Sequence, residues 1–302
     1  MMLAGEVAGE VIDFPGAAVA ALRGAASRCG LDARGARLIR LFGTAVYHLP
    51  AVDAVARIAL LTSPNSVARL ATSVRVTRWL TEIGFPSVEP LRVDQPVTGH
   101  GCVVTFWRYL PQCGPPPVVA DLGHLLRQLH RLGAPPVPLA AYEPLASVRR
   151  AVAASRAIDE DERAWLTDRC ERLASAYGKL IFPLPAGMIH GDAWRVTLLR
   201  DGHRVVLADW DAVSSGHRET DLIPTLQAPR FGLPEAQRDA FIAAYGFDIR
   251  SWDGFPILRG MRELSTITAL LRDGHADAAA QRELRVRLRS LRTGDDQQWK
   301  SF

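Results

Sequence analysis

GMIHGDAWRVTLLRDGHRVVLADWDAVSSG, residues 187–216, governs the reading of the whole chain. It holds two acidic triplets, His190-Gly191-Asp192 and Asp209-Trp210-Asp211. Between them VTLL (196–199) and RVVLAD (204–209) read as short strands. Asp201-Gly202 suits the tight turn of a two-residue hairpin. Folding that ribbon back predicts that Asp192 and Asp209 meet at one edge. Two carboxylates brought together cost free energy unless a metal or a substrate proton lies between them.

Outward from this stretch, the rest of the 302 residues is ordinary globular sequence, 48% hydrophobic with a net charge of +4. That length allows two lobes, each with its own core. Lys179 and Lys300 are the only lysines. The basic surplus is spread along the chain as arginine rather than gathered in runs, which argues against a nucleic-acid binder. Cys29, Cys102, Cys113 and Cys170 form no CxxC pair and read as buried free thiols of a reducing cytoplasm. No stretch reaches the ~20 uninterrupted apolar residues of a membrane span, and no charged segment followed by an apolar core opens the chain. A soluble cytoplasmic protein is expected.

Residues 1–30 read as an Ala-rich helix ending at Cys29-Gly30. LIRLFGTAVYHL (38–49) predicts two strands around Gly43-Thr44, and DAVARIALL (53–61) a third. Apolar residues from Asn65 to Glu82 recur at helical spacing, closed by Gly84 and Pro86. VEPLRV (88–93) and GCVVTFWRYL (101–110) read as two further strands about a Thr98–Gly101 turn. GPPP (114–117) is a hinge, since proline breaks both helix and sheet. The stretches 118–133, 145–178, 234–246, 255–274 and 276–292 read as helices, leaving the hairpin as the strand-like part of that half. The expected fold is α+β: a lobe over 1–110 with an antiparallel sheet, one main helix and an N-terminal helix, then a helical lobe over 111–302.

IHGDAWRVTLL and VLADWDAVSSGHRETDL together resemble the aminoglycoside phosphotransferase and choline kinase-like family. LGHLLRQLHRLG resembles that family's first C-lobe helix, and AAYGFDIRSWDGFPILRGMREL an actinobacterial branch of it. The resemblance spans roughly residues 35–292 and rests on the first two motifs jointly. It implies a bilobal protein-kinase-like fold, with nucleotide held by the first lobe and catalysis and acceptor binding in the second. It further implies ATP or GTP with Mg²⁺, and transfer of the γ-phosphoryl group to a hydroxyl of a small molecule. By that resemblance Asp192 accepts the hydroxyl proton and Asp209 holds Mg²⁺. His190 is a buried brace beside the catalytic loop, and Asp211 a helper or a turn residue. The simpler reading of Asp192 is a loop residue capping the next turn.

The sequence departs from the family pattern at three positions. Residue 197, where the family places a metal-binding Asn, is Thr197, a shorter and poorer ligand. Arg57 stands where the family carries a phosphate-gripping lysine; it brings charge but a different length and plane. The simpler reading is an Arg57 that pairs instead with some other strand carboxylate. Ser73 falls near the position of the helix glutamate that would hold that lysine. Gly43 and Thr44 either offer backbone N–H groups to phosphate or form a plain hairpin turn. Phe106, Trp107 and Tyr109 belong to the inter-lobe linker that would read the nucleotide base, or Phe106 and Trp107 are simply core.

Two functions follow as expectations. One is an active phosphotransferase whose acceptor is an aminoglycoside, another antibiotic or metabolite, or a peptide Ser/Thr, with antibiotic resistance as a biological setting. The other is a weakened pseudokinase that binds nucleotide, metabolite or a partner protein. The acidic residues that would face a cationic acceptor are Asp211, Asp221, Asp253, Glu263 and Asp273. The last four are interleaved with arginines, among them Arg262, which lowers the expectation of an aminoglycoside.

Overall fold

Buried and partly buried residues alternate along Thr44–Leu49 and through most of Ala54–Leu60, because successive side chains of a strand face opposite ways. The computed structural model describes residues 4–7, 10–62, 65–274 and 277–300, apart from the side chains of 4–7, 10–13, 42, 228 and 273. A two-stranded ribbon, β1 (Ala4–Val7) and β2 (Glu10–Asp13), precedes helix α1 (Phe14–Arg28). The helix expected over 1–30 therefore begins at Phe14; residues 1–3, 8 and 9 lie outside the described part. Pro15 sits in its first turn, where a missing N–H costs nothing. Strands β3 (Arg37–Phe42), β4 (Thr44–Leu49) and β5 (Ala54–Leu60) follow, then α2 (Asn65–Glu82), β6 (Val97–Gly99) and β7 (Cys102–Arg108). They form a five-stranded sheet in the order β3-β4-β5-β7-β6, every pair antiparallel.

In β5 the residues Ala54, Ala56 and Ile58 are buried and Val55 and Arg57 only partly so. The buried set packs with Ala18, Ala21, Leu22 and Ala25 of α1, whose small side chains let helix and sheet approach. Residues 88–93 do not form the expected strand. Of them only Pro90 bridges a strand, at Trp107, and Ser87 just before them bridges Leu207, because Pro86 and Pro90 lack the N–H a continuous ladder needs.

Beyond Pro117 the chain is mainly helical: α3 (Val119–Leu129), α4 (Ala146–Ala154) and α5 (Glu160–Tyr177) come first. Strand β8 (Ala186–Ile189), the hairpin β9 (Leu198–Asp201) and β10 (Arg204–Leu207), and β11 (Ser214–His217) come next. Helices α6 (Glu219–Leu226), α7 (Glu235–Tyr245), α8 (Phe255–Thr266), α9 (Thr268–Asp273) and α10 (Ala278–Thr293) complete the order. The expected hairpin is present with Gly202 at φ 60° in its turn, but the turn is Gly202-His203 rather than Asp201-Gly202, since Asp201 ends β9 paired with Arg204, and residues 195–197 are a 3₁₀ turn rather than strand. Strand β11, which the sequence did not suggest, pairs antiparallel with β8.

Two compact units result, and the chain passes between them repeatedly. The first comprises Met1–Pro117, Ala134–Leu139 and Val196–Val213; the second comprises Val118–Gly133, Ala140–Arg195 and Ser214–Phe302. The β9–β10 hairpin thus groups with the N-terminal sheet, where Val88 N donates to Leu207 O at 3.0 Å. The second unit is organised on helices, with Leu166, Leu264, Leu271, Leu284 and Leu288 at the centre of its core. Among the described residues no helix is long and apolar enough to cross a membrane. All four cysteines are free; Cys102 and Cys170 are buried, but Cys113 is exposed and Cys29 intermediate, against the expectation of four buried thiols.

Candidate functional site

In the first unit the face of β5 opposite the α1 core carries Arg57, set between Val46 of β4 and Thr105 of β7. Its guanidinium reaches the segment just after β10. One Nη donates to Asp209 Oδ1 at 2.6 Å, and both Nη atoms donate to the Asp211 carboxylate at 3.1 and 3.2 Å. Arg57 does pair with carboxylates, and they are those of the second acidic triplet. Burial works against its charge, yet Asp211 and Asp209 outweigh burial and hold the Arg57 pKa above its ordinary value. Asp209 adopts a left-handed backbone (φ 69°), uncommon for a residue with a side chain. Trp210 between the two aspartates is fully buried; its Nε1 donates to Leu207 O and its ring meets Phe85 edge-on. That anchor fixes the aspartates on either side.

Arg57 and Asp209 line a cavity of about 400 Å³ belonging wholly to the first unit. Trp107, Tyr109 and Thr197 line it too, with apolar walls from Val46, Val55 and Leu199. Mostly apolar concavities with a few convergent polar groups are the usual form of a small-molecule site. Trp107 also donates through Nε1 to Thr105 Oγ1, and Tyr109 stacks on His48 at 3.8 Å. Phe106 is fully buried in the core around α1, so its side chain follows the simpler of its two readings, that of a core residue. Gly43 (φ 61°) makes the β3–β4 turn and Thr44 opens β4; neither lines the cavity. Ser73 of α2 is fully buried, its hydroxyl without a hydrogen-bond partner, so no carboxylate approaches Arg57 from that position.

Among the described residues no three His, Cys, Asp or Glu side chains gather to cage a metal ion. Magnesium rarely needs such a cage: one or two carboxylates plus substrate phosphates and water suffice. Asp209 and Asp211 supply two negative charges against the single positive charge of Arg57, a donor set that fits a magnesium ion arriving with a nucleotide. Thr197 is 3% exposed and offers one hydroxyl where the family pattern has an amide.

The first acidic triplet is built in the second unit. Gly191 takes φ 84°, a conformation glycine adopts without strain, and turns the chain after β8 toward Asp192. The amides of His190 and Gly191 both donate to Asp221, at 2.8 Å each. Asp221 in turn bonds His130 Nε2 at 3.0 Å, and His130 Nδ1 bonds the Tyr245 hydroxyl at 2.9 Å. Burial opposes the charge of Asp221, but the bond and charge of His130 hold its pKa below the usual carboxylate range. The sequence reading set Asp221 at an acceptor surface; the structure corrects this, since the residue is completely buried and braces the His190–Asp192 loop through its amides. Glu263 is corrected in the same way, buried and paired with Arg230 at 2.9 Å and Arg259 at 3.1 Å. The Asp273 side chain lies outside the described residues. His190 is fully buried, as a brace requires.

Asp192 itself is 47% exposed, and its Oδ1 accepts from Arg262 Nη1 at 2.7 Å. Asp192 belongs to the second unit and Asp209 to the first. The sequence reading missed three roles here. Asp211 is a second partner of Arg57, His130 steadies Asp221, and Arg262 of α8 attends Asp192. Only for Asp211 was there a local signal, the repeated acid of Asp-Trp-Asp.

Residues 42–255 match the Phosphotransferase enzyme family. A search of curated proteins finds no match. Among solved structures, the amicoumacin kinase hAmiN in complex with AMP-PNP, Ca²⁺ and Ami is similar at a TM-score of 0.70 and 13% identity, covering 92% of this chain and 94% of that one. The aminoglycoside phosphotransferase APH(3'')-Id from Streptomyces rimosus gives 0.60 and 18%, over 83% and 98%. A choline/ethanolamine kinase family protein from Mesorhizobium loti gives 0.63 and 20%, over 92% and 94%. These likenesses carry the fold, an antiparallel N-terminal sheet followed by a helical region, as the resemblance implied. The family match, which extends over most of the chain, shows that this protein belongs to the Phosphotransferase enzyme family.

Proposed function

We propose that the protein transfers the γ-phosphoryl group of ATP or GTP to a hydroxyl of a small molecule. The observation that carries the reading is the Arg57–Asp209–Asp211 cluster in the wall of the 400 Å³ cavity. The nucleotide lies in that cavity, its base toward Trp107 and Tyr109 and its phosphates toward Arg57. Asp209 and Asp211 would hold Mg²⁺, with the Thr197 hydroxyl as an auxiliary donor. When bound, the metal neutralises charge on the transferring phosphoryl group. Arg57 holds phosphate oxygens with a guanidinium whose orientation Asp211 maintains.

Asp192 receives the acceptor proton as the acceptor oxygen bonds to the γ-phosphorus and the bond from that phosphorus to the β,γ-bridging oxygen breaks. Nucleoside diphosphate leaves with that electron pair. Asp221, through the amides of His190 and Gly191, keeps Asp192 where the hydroxyl must be. Release of ADP from Mg-ATP over a panel of alcohols tests this, with Asp192→Ala as control. The variant should lose about 10²- to 10⁴-fold in turnover, the usual worth of a positioned base. ADP release no greater than the control, despite nucleotide binding, would remove the enzyme reading.

A second reading, a nucleotide-binding module without transfer, is favoured by one observation: Arg57 already engages both candidate metal ligands. Thermal stabilisation by ATP that is indifferent to Mg²⁺ is its expected signature.

A further inference from the structure

We propose that the acceptor is an anionic alcohol, with a carboxylate or phosphate close to the hydroxyl that is phosphorylated, and that Arg262 binds that anion. The inference rests on the reading of Asp192 as the base.

Arg262 projects from α8, whose Leu258, Met261 and Leu264 are buried. A guanidinium has five N–H donors in a planar fork and no acceptor. Among the described residues its one hydrogen bond runs from Nη1 to Asp192 Oδ1, at 2.7 Å. Its Nε is buried and has no hydrogen-bond partner. That atom is closed to solvent, so the donors open to a ligand are the Nη groups that Asp192 does not use, and an oxyanion is their natural partner. The Arg262 side chain is 22% exposed and Asp192 47%, so the pair faces solvent and a ligand can reach both. Tyr142 stands near enough to feel both charges, and burial first of all pushes its phenol up to about 12, so it stays a neutral flank.

Asp192 and Arg262 touch, so a molecule whose hydroxyl meets Asp192 presents its neighbouring substituents to the guanidinium. A carboxylate or phosphate there gains charge-assisted, potentially forked bonds. An ammonium at the same place meets a fixed positive charge instead. The site thus selects against the polycationic acceptors that a ring of carboxylates would favour, and Asp221 and Glu263 are buried and committed elsewhere.

The full-length protein tests this with matched probes: D-glucuronate, D-glucose 6-phosphate, D-glucose and D-glucosamine, with D-glycerate and glycerol as a second scaffold. Binding is read by calorimetry without nucleotide, and ADP release with Mg-ATP is read separately. On at least one scaffold the anion should bind roughly tenfold more tightly than its neutral counterpart, the worth of one charged hydrogen bond. Arg262→Met should erase that preference by weakening the anion alone, and Arg262→Lys should recover part of it. The glucose 6-phosphate arm separates phosphate from carboxylate. The inference is overturned if no anion outbinds its neutral partner, or if Arg262→Met depresses neutral and anionic acceptors alike, since Arg262 would then act only through Asp192. Asp192-dependent ADP release from neutral alcohols decides the phosphotransfer reading independently of either result.

Discussion

An arginine at position 57 changes what the surrounding aspartates must do. Its side chain is 16% exposed and satisfies two carboxylates at once. Removing one partner from a partly buried ionic cluster leaves the others uncompensated, with solvent reaching Asp209 (39% exposed) and softening the loss. Arg57→Met should therefore lower unfolding free energy by about 1–2 kcal/mol in urea titration, between the exposed-pair and buried-pair cases. Millimolar Mg²⁺ should restore part of the loss, by replacing the missing positive charge between Asp209 and Asp211. Equal stability of the two proteins would mean that the cluster contributes nothing. Thr197→Asn asks the complementary question: if residue 197 is a weakened ligand, the amide should tighten Mg²⁺-dependent nucleotide binding. Thr197 is almost fully buried, so crowding at about 1–3 kcal/mol is the expected cost in stability.

Glu219 supplies a pH prediction. Burial raises its pKa above the ordinary glutamate value, and its Oε1 accepts from Leu184 N at 2.7 Å. A carboxyl raised on folding contributes stability below its unfolded pKa and loses that contribution as pH climbs through the folded value. The melting temperature of Glu219→Gln relative to the parent should accordingly rise from about pH 4.3 upward and then level off. A flat difference across that range would exclude an ionising Glu219. Such buried acids are what sequence conceals. Asp221 looks like a surface charge because His130 lies far along the chain, and Glu263 because Arg230, the buried one of its two arginine partners, does too. Asp192, Asp209 and Arg57 were singled out because each sits inside a compact local pattern.

Elements follow the same division between local and remote causes. The limits of α2 were readable from its spacing and the Gly84 stop, and the β9–β10 hairpin, its turn set one residue early, from Asp201-Gly202. Strand β11 was not, because Ser-Ser-Gly-His has little intrinsic preference for a strand; pairing with β8 imposes it. The packing of α3 on α7 was equally silent in the sequence. A Cβ at Gly123 would come within 2.6 Å of Phe241 O and 2.8 Å of the Ala244 Cβ, so the two helices approach through a bare glycine. Gly123→Ala gains helix propensity but must push the helices apart. A net loss of about 1–3 kcal/mol is expected by denaturant unfolding, as for other overpacked cores. Stabilisation would show that α7 yields without cost.

For the molecule as a whole, each unit owns part of the proposed chemistry: the cavity with Arg57 and Asp209 in the first, Asp192 with its brace in the second. Hydrogen exchange can separate them. ATP should slow exchange of the amides in β5, β7 and the β9–β10 hairpin while leaving α10 unchanged. Uniform protection, or none, would place the nucleotide elsewhere than the cavity.

The arginine on β5 has one more consequence, for detection. Nucleotide acyl phosphates mark kinases by acylating a lysine amine beside the bound phosphates, and a guanidinium is a poor nucleophile toward them. With Lys179 and Lys300 as its only lysines, neither in the cavity wall, this protein would go untagged at that position however tightly it held the reagent. Surveys that count kinases by such labels would pass over it, and Arg57→Lys would bring it into view.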